Sequence, residues 1–184
     1  MLLERMIRAA RLDSNLYEEV EADLSATSQA ATVVGIVAIC NGLGAGIGTA
    51  MAGDTTGAVV SFIVGVFMAF LLWIAWSYIT YFVGTSLFKG QATPGEILRT
   101  AGFAESPLVL SVLSFIPIIG GIIALVAFVM FLIAGVIALR QALDISTGQA
   151  VITALIGLVP LVLVVCFLGA VVGLGGAAMG GAFR

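Results

Sequence analysis

Histidine is absent from this 184-residue chain, and charge is scarce: Asp, Glu, Lys and Arg make up 9 % of the residues, against 61 % hydrophobic ones. A soluble domain carries about 25 % charged residues. Without His there can be no imidazole ligand for zinc or haem and no His acid–base catalysis. Cysteine is nearly missing as well. Cys40 and Cys166 lie inside apolar runs with no CxxC spacing, and they read as buried thiols rather than a disulfide or a metal site. Seven basic residues stand against ten acidic ones, a net charge of −3, and the basic ones form no cluster, so nucleic acid is not an expected partner. The few charges are also confined, with none in 24–53, 55–88, 108–139 or 145–183. A helix needs about 20 apolar residues to cross a hydrocarbon core roughly 30 Å thick. These runs therefore predict an all-α, multi-pass integral membrane bundle.

The first 29 residues form a separate, polar segment. Glu4, Arg5, Arg8 and Arg11 interrupt its apolar residues, so there is no continuous core of a signal peptide. On a helix, Leu2, Leu3, Met6, Ile7, Ala9 and Ala10 share one face and the charged residues share the other. Such a helix either lies on the membrane, with Arg5, Arg8 and Arg11 toward headgroups, or packs on its own protein. Asn15 and Glu18 have the spacing of a capping box and predict a second helix. That helix is acidic: Glu18, Glu19, Glu21 and Asp23 occur with no basic residue between Asp13 and Asp23. Anionic lipid repels it, so it should face protein or solvent. With no Gly or Pro before Gly35, it is able to run unbroken into the first span.

Five spans are expected within residues 30–175, followed by a Gly-rich tail over 176–184. The first, about Ala30–Ala52, holds Gly42, Gly44, Gly46 and Gly48 in two overlapping GxxxG spacings, which let backbones approach. Asn41 in the same span should hydrogen-bond across a helix interface. The second, about Ala58–Val83, carries Trp73, Trp76, Tyr78, Tyr81 and Phe82, the composition of an aromatic belt at headgroup level. After it, Thr93-Pro94-Gly95-Glu96 signals a helix start. Pro107–Ile119 is awkward, since thirteen residues rise only about 20 Å as a helix. It either borrows Ala101–Ala104 and spans, or it is re-entrant. Pro117 and Gly120-Gly121 mark a turn, Ile122–Leu139 is a clean span, and the last runs about Ala150–Leu174 with Pro160 inside it. Spanning or re-entrant, six of the seven basic residues fall on one side, which the positive-inside rule makes cytoplasmic together with the N-terminus. Five crossings would leave the C-terminus outside.

The presumed spans contain no charged residue, which argues against ion-coupled transport. Glu105, in Phe103-Ala104-Glu105-Ser106-Pro107, is the acid of most interest. Its carboxylate could pair with Arg99 or Arg140 or cap the helix beginning at Pro107. No base or nucleophile accompanies it, so no catalytic residue is expected. No cofactor or metal is expected either.

Two loop stretches carry a family resemblance: Leu98-Arg99-Thr100-Ala101-Gly102-Phe103-Ala104-Glu105-Ser106-Pro107 with Ile116-Pro117-Ile118-Ile119-Gly120-Gly121, and Ala138-Leu139-Arg140-Gln141-Ala142-Leu143-Asp144-Ile145-Ser146-Thr147-Gly148-Gln149-Ala150. They resemble the prokaryotic branch of the Yip1 family over roughly residues 15–175. The resemblance implies five transmembrane helices, a short third span and a cytoplasmic N-terminus. Eukaryotic relatives act in vesicle traffic with small GTPases, through an acidic segment matched here only at Leu16-Tyr17, with Glu18-Glu19 in place of Gly-Pro. The expected role is therefore that of a non-enzymatic scaffold in the cell membrane, organising it through contacts with lipid and with other membrane proteins. The alternatives are an accessory subunit of a larger respiratory or photosynthetic complex and, third, a transporter of an apolar or lipid-like substrate. Candidate partner contacts are Glu18, Glu19, Glu21, Asp23, Gly44, Gly48, Gly169 and Gly173. Candidate membrane-surface contacts are Arg5, Arg8 and Arg11.

Overall fold

The computed structural model describes the backbone of residues 1–51 and 53–182 and the side chains of residues 1–51 and 53–167. Within these residues every regular element is helical: α1 Leu2–Ala10, α2 Ser14–Ala22, α3 Ala26–Met51, α4 Thr55–Phe88, α5 Pro94–Ala104, a 3-10 helix Ser106–Phe115, α6 Ile119–Leu143 and α7 Thr147–Ala182. Four of them, α3, α4, α6 and α7, are long and apolar enough to cross a membrane. Many of their large side chains point outward, among them Ile63, Leu125 and Leu163. In water such a surface would drive aggregation, whereas hydrocarbon solvates it.

Close approaches at glycine set the arrangement. A Cβ on Gly42 would meet the Phe62 ring and one on Gly35 would approach Phe70, so α3 and α4 form an antiparallel hairpin. Gly84 lies against Leu143 and Gly135 against Trp76, which makes α6 run parallel to α4. Gly157 lies against Thr80 and Trp76, so α7 runs back the other way. The start of α3, the ends of α4 and α6 and the start of α7 thereby meet at one end of the bundle. There Gln91 N–H donates to the Leu143 carbonyl at 3.0 Å. We call this the capped end, because α1, α2 and α5 cover it.

The residues expected to form a third span wind instead as the 3-10 helix, which is not among the four candidate spans. Gly102 in α5 touches Ala30, whereas the Ser111 carbonyl lies against Gly44. The fourteen residues between Ala30 and Gly44 on α3 rise about 21 Å. Nine residues of the α5 and 3-10 chain cover that distance, at about 2.3 Å each, close to the 2.0 Å rise of a 3-10 helix and well above the 1.5 Å of an α-helix. Two serines support the tighter winding, Ser106 Oγ donating to Phe103 O at 2.7 Å and Ser111 Oγ to Leu108 O at 2.6 Å.

Several expectations are corrected. The cap of α2 is Asp13, whose carboxylate accepts from Asn15 N–H at 3.1 Å, not Asn15. The chain does not run unbroken from α2 into α3: Asp23 is extended at ψ 99° and its carboxylate accepts from the Ser25 N–H and hydroxyl. The break turns α2 so that Leu16, Tyr17 and Val20 are fully buried. Trp73 and Trp76 are not belt residues. They share the α4 stripe with Ser77, Thr80, Val83 and Gly84 at three- and four-residue spacing and are buried, leaving Tyr78 and Phe82 outside. The residue of the 116–118 turn with positive φ is Ile118 (φ 66°), closed by Ile119 N–H to Pro117 O at 2.8 Å. Gly120 sits instead inside α6, where a Cβ would strike the Leu113 and Ser114 carbonyls. The helix start at Thr93-Pro94 is as expected, and it is closed by a capping box in which Glu96 Oε2 accepts from Thr93 N–H at 2.7 Å.

Gly44 and Gly48 separate packing from mere spacing. A methyl group on Gly44 meets the Ser111 carbonyl and the Ser114 hydroxyl, while one on Gly48 meets nothing within 4 Å. Gly44→Ala should destabilise the bundle by about 1–3 kcal/mol, the usual cost of overpacking. Gly48→Ala should leave it unchanged. Thermal unfolding of the two variants in the same detergent compares them directly.

Candidate functional site

All described Asp, Glu, Lys and Arg side chains except Asp54 belong to the segments that build the capped end or to the helix ends that meet there. One arginine holds the cap together. Arg99 on α5 is buried at 4 % exposure, and its guanidinium donates to the Val20 carbonyl at 3.0 Å and to the Glu21 carbonyl. These are last-turn carbonyls of α2, which have no partner inside the helix and carry its negative dipole end. Around that bond Leu16, Tyr17, Val20, Ile97 and Phe103 form a core with no solvent exposure. Trp73 adds a tie from α4, its indole N–H donating to Leu98 O at 3.1 Å.

The acidic helix and the arginine helix face each other. Arg5 pairs with Glu19 at 2.8 Å and Asp23 at 2.9 Å, and Arg8 pairs with Glu19 at 2.6 Å and Asp13 at 2.8 Å. Tyr17 hydroxyl reaches the Ala9 carbonyl at 3.5 Å and joins α1 to α2. Two of the three proposed headgroup arginines are thus occupied within the chain, and Arg11 is the exposed one. The apolar face of α1 is divided accordingly. Met6 and Ala9 pack on the protein, while Leu3 and Ile7 stay exposed. α2 contacts both α5 and α6.

The acidic residues divide as well. Hydrogen bonds from Arg8 and then Arg5 hold Glu19 below its ordinary value, and bonds from Ser25 and then Arg5 do the same for Asp23. Glu21 goes the other way. Burial, then the charges of Glu96 and Asp144, push it up to about 7. Glu18 accepts from Gln141 Nε2. Glu18, Glu21, Glu96 and Asp144 therefore form an acidic surface beside the Arg5–Arg8 pairs.

A second feature opens below the cap. A groove of about 830 Å³ runs between α3, α4, α6 and α7. Its lining is apolar apart from a few groups, of which Glu105 and Asn41 are the most polar. Glu105 does not make the partnerships its sequence position suggested. Arg99 is committed to α2, Arg140 donates to Gln141 Oε1 at 2.9 Å, and the Glu105 side chain makes no cap bond to the 3-10 helix. Its side chain is half-buried on the groove wall, with no ion pair or hydrogen bond among the described residues. Asn41 likewise lines the groove, on an exposed face of α3, rather than a helix interface. The nearness of Arg99 in sequence hid Glu105's isolation, because only the fold shows which carbonyls that arginine serves.

Of the small-residue contacts, Gly44 is buried against the 3-10 helix and offers no surface to a partner, and Gly48 is open. Gly169 and Gly173 lie outside the residues whose side-chain surroundings are described.

Compared with models of known families, residues 15–173 match the Yip1 domain. No curated protein and no solved structure matches the chain.

Two tests address the cap. Arg99→Ala should cost about 3 kcal/mol, typical for lost hydrogen bonds to a charged group, and expose the N-terminal 25 residues to limited proteolysis. The pH response has two arms. Asp13, Glu19 and Asp23, held low, contribute stability above their unfolded values that is lost as pH falls toward the folded ones. Glu21, raised from 4.5 to about 7, makes the fold lose stability as pH rises through that window. Glu21→Gln should therefore raise the unfolding temperature at pH 8 and leave it unchanged at pH 4.

Proposed function

The chain belongs to the Yip1 family, and from that premise we propose that it is a non-enzymatic, membrane-organising scaffold whose working surface is the capped end. The observation that carries this reading is the division of labour among its charges. Arg5 and Arg8 pair with Asp13, Glu19 and Asp23 and fix the cap, while Glu18, Glu96 and Asp144 gather outside those pairs around Glu21, whose ionisation they oppose. Self-repelling carboxylates held on a rigid core cost stability. They are most readily retained where a cationic partner surface comes to them.

The α5 and 3-10 chain is taken as a third crossing, made by α5 at the cap and stretched 3-10 winding through the core. Its march along α3 from Ala30 to Gly44 supports this. With five crossings the N-terminus and cap are cytoplasmic and the C-terminus lies outside, which also puts six of the seven basic residues inside. On this orientation Leu3, Ile7 and Arg11 meet the inner leaflet at its surface, apolar residues toward acyl chains and the free arginine toward phosphate.

A second reading, a small subunit of a larger membrane complex, is favoured by the open backbone at Gly48, where a neighbouring helix could approach closely.

Glu18→Lys with Asp144→Lys discriminates these. Neither carboxylate belongs to the Arg5–Arg8 network or to the capping box of α5, so the cap should keep its unfolding temperature. Affinity purification from native membranes in mild detergent should then lose the co-purifying partner under the scaffold reading. Retention of that partner by the charge-reversed protein, and its loss with Gly48→Leu, would transfer the conclusion to the subunit reading. The same reversal at Glu19 would be uninformative, since it breaks two intramolecular ion pairs.

A further inference from the structure

We propose that the groove beneath the cap binds a bilayer amphiphile whose head donates a hydrogen bond to the Glu105 carboxyl and carries no negative charge, its chain lying along α6 and α7. The inference stands apart from the scaffold reading, since it uses the intramembrane groove and none of the cap's acidic surface.

Three observations carry it. The groove's volume, about 830 Å³, lies within the range of built ligand sites. Its α7 wall extends from Thr147 at the capped end to Cys166, a rise of about 28 Å. That is nearly the depth of a hydrocarbon core. Wall residues such as Leu155, Val162 and Ile133 are about half exposed, so the groove is reached sideways from lipid rather than from water.

The second observation is chemical. A carboxyl group removed from water without a donor is costly. Glu105 lines the apolar groove half-buried, with no hydrogen-bond partner for its side chain among the described residues, at a 3-10 helix start that it does not cap. Arg99 and Arg140 are engaged elsewhere, and no cation is among the groove's lining residues. A hydroxyl or amine head would supply the missing donor. A carboxylate or phosphate head would set a second acceptor against the first, with no cation among the groove's lining residues to bridge them.

The third is the position of that carboxyl. Glu105 follows α5 at the capped end of the groove, where the head of a lipid in the adjacent leaflet would lie, and the apolar walls continue away from it. Asn41, on α3, also lines the groove and offers both a donor and an acceptor to a second polar atom, such as an ester oxygen.

Photo-crosslinking tests the proposal on the full-length protein in nanodiscs. Three probes share one diazirine-bearing eighteen-carbon-class chain and differ only in the head: a monoacylglycerol (hydroxyl), a sphingoid base (amine) and a free fatty acid (carboxylate). The hydroxyl or the amine probe should label groove residues of α6 and α7 about tenfold more than the acid does, a difference of about 1.4 kcal/mol. Whichever of the two labels more strongly identifies the head. Glu105→Leu should abolish that preference. Equal labelling by all three heads, or a preference that survives Glu105→Leu, would overturn the proposal. If Glu105→Leu does not fold, Gly65→Phe takes its place. Gly65 lines the groove and a Cβ there meets nothing within 4 Å, so the ring fills the groove without an internal clash. Labelling that persists in folded Gly65→Phe would likewise reject the site.

Discussion

Everything at the polar end of this molecule depends on where one guanidinium goes. Arg99 is buried on α5, and it serves the backbone carbonyls at the end of α2 rather than any carboxylate. A helix end placed against apolar neighbours must have its carbonyls satisfied. A charged donor does so and also meets the negative end of the helix dipole. With α2 held there, Glu19 and Asp23 are presented to α1, and Arg5 and Arg8 close over them. The cap is therefore a hierarchy, with one buried bond at its centre and exposed ion pairs at its rim. Exposed pairs of this kind contribute little individually. They gain from a rigid base on which neither partner has to be ordered anew.

The same commitment leaves Glu105 alone. The sequence offers it Arg99 and Arg140, yet Arg99 is turned toward α2 and Arg140 toward Gln141. An unpartnered carboxyl at the head of an apolar groove is thus the counterpart of a well-satisfied cap. Packing dictates the rest of the groove's form. Glycines draw α3 onto α4 and onto the 3-10 helix, and α4 onto α6 and α7. Elsewhere larger side chains hold the helices apart, and the space between them remains.

The 3-10 segment shows how a chain solves a length problem. Ten residues of α-helix would rise about 15 Å, too little to follow α3 from Ala30 to Gly44. Winding as a 3-10 helix lengthens the same residues by about a third. The penalty is poorer hydrogen-bond geometry, offset here by serine hydroxyls that reach carbonyls three residues back and by intimate packing on Gly44 and Gly120. A pattern reader sees only an apolar segment too short to span, because the winding is selected by tertiary contacts.

What was legible from residues alone follows from solvent. Long runs without charge can exist only as buried or lipid-facing helices, so the membrane class, the positions of α4, α6 and α7, and the cap of α5 at Thr93 could be read directly. Family membership was legible too, because loop residues such as those from Ala138 to Ala150 are not dictated by hydrophobicity. Which tryptophans face inward, which glycines are closed, where α2 breaks from α3 and which acid is left without a partner were decided by the tertiary structure. The reason is physical. Hydropathy acts on each residue separately and is written in composition, whereas pairing and close approach depend on which neighbour arrives first at a given donor or a given gap, and that choice exists only once the helices have packed.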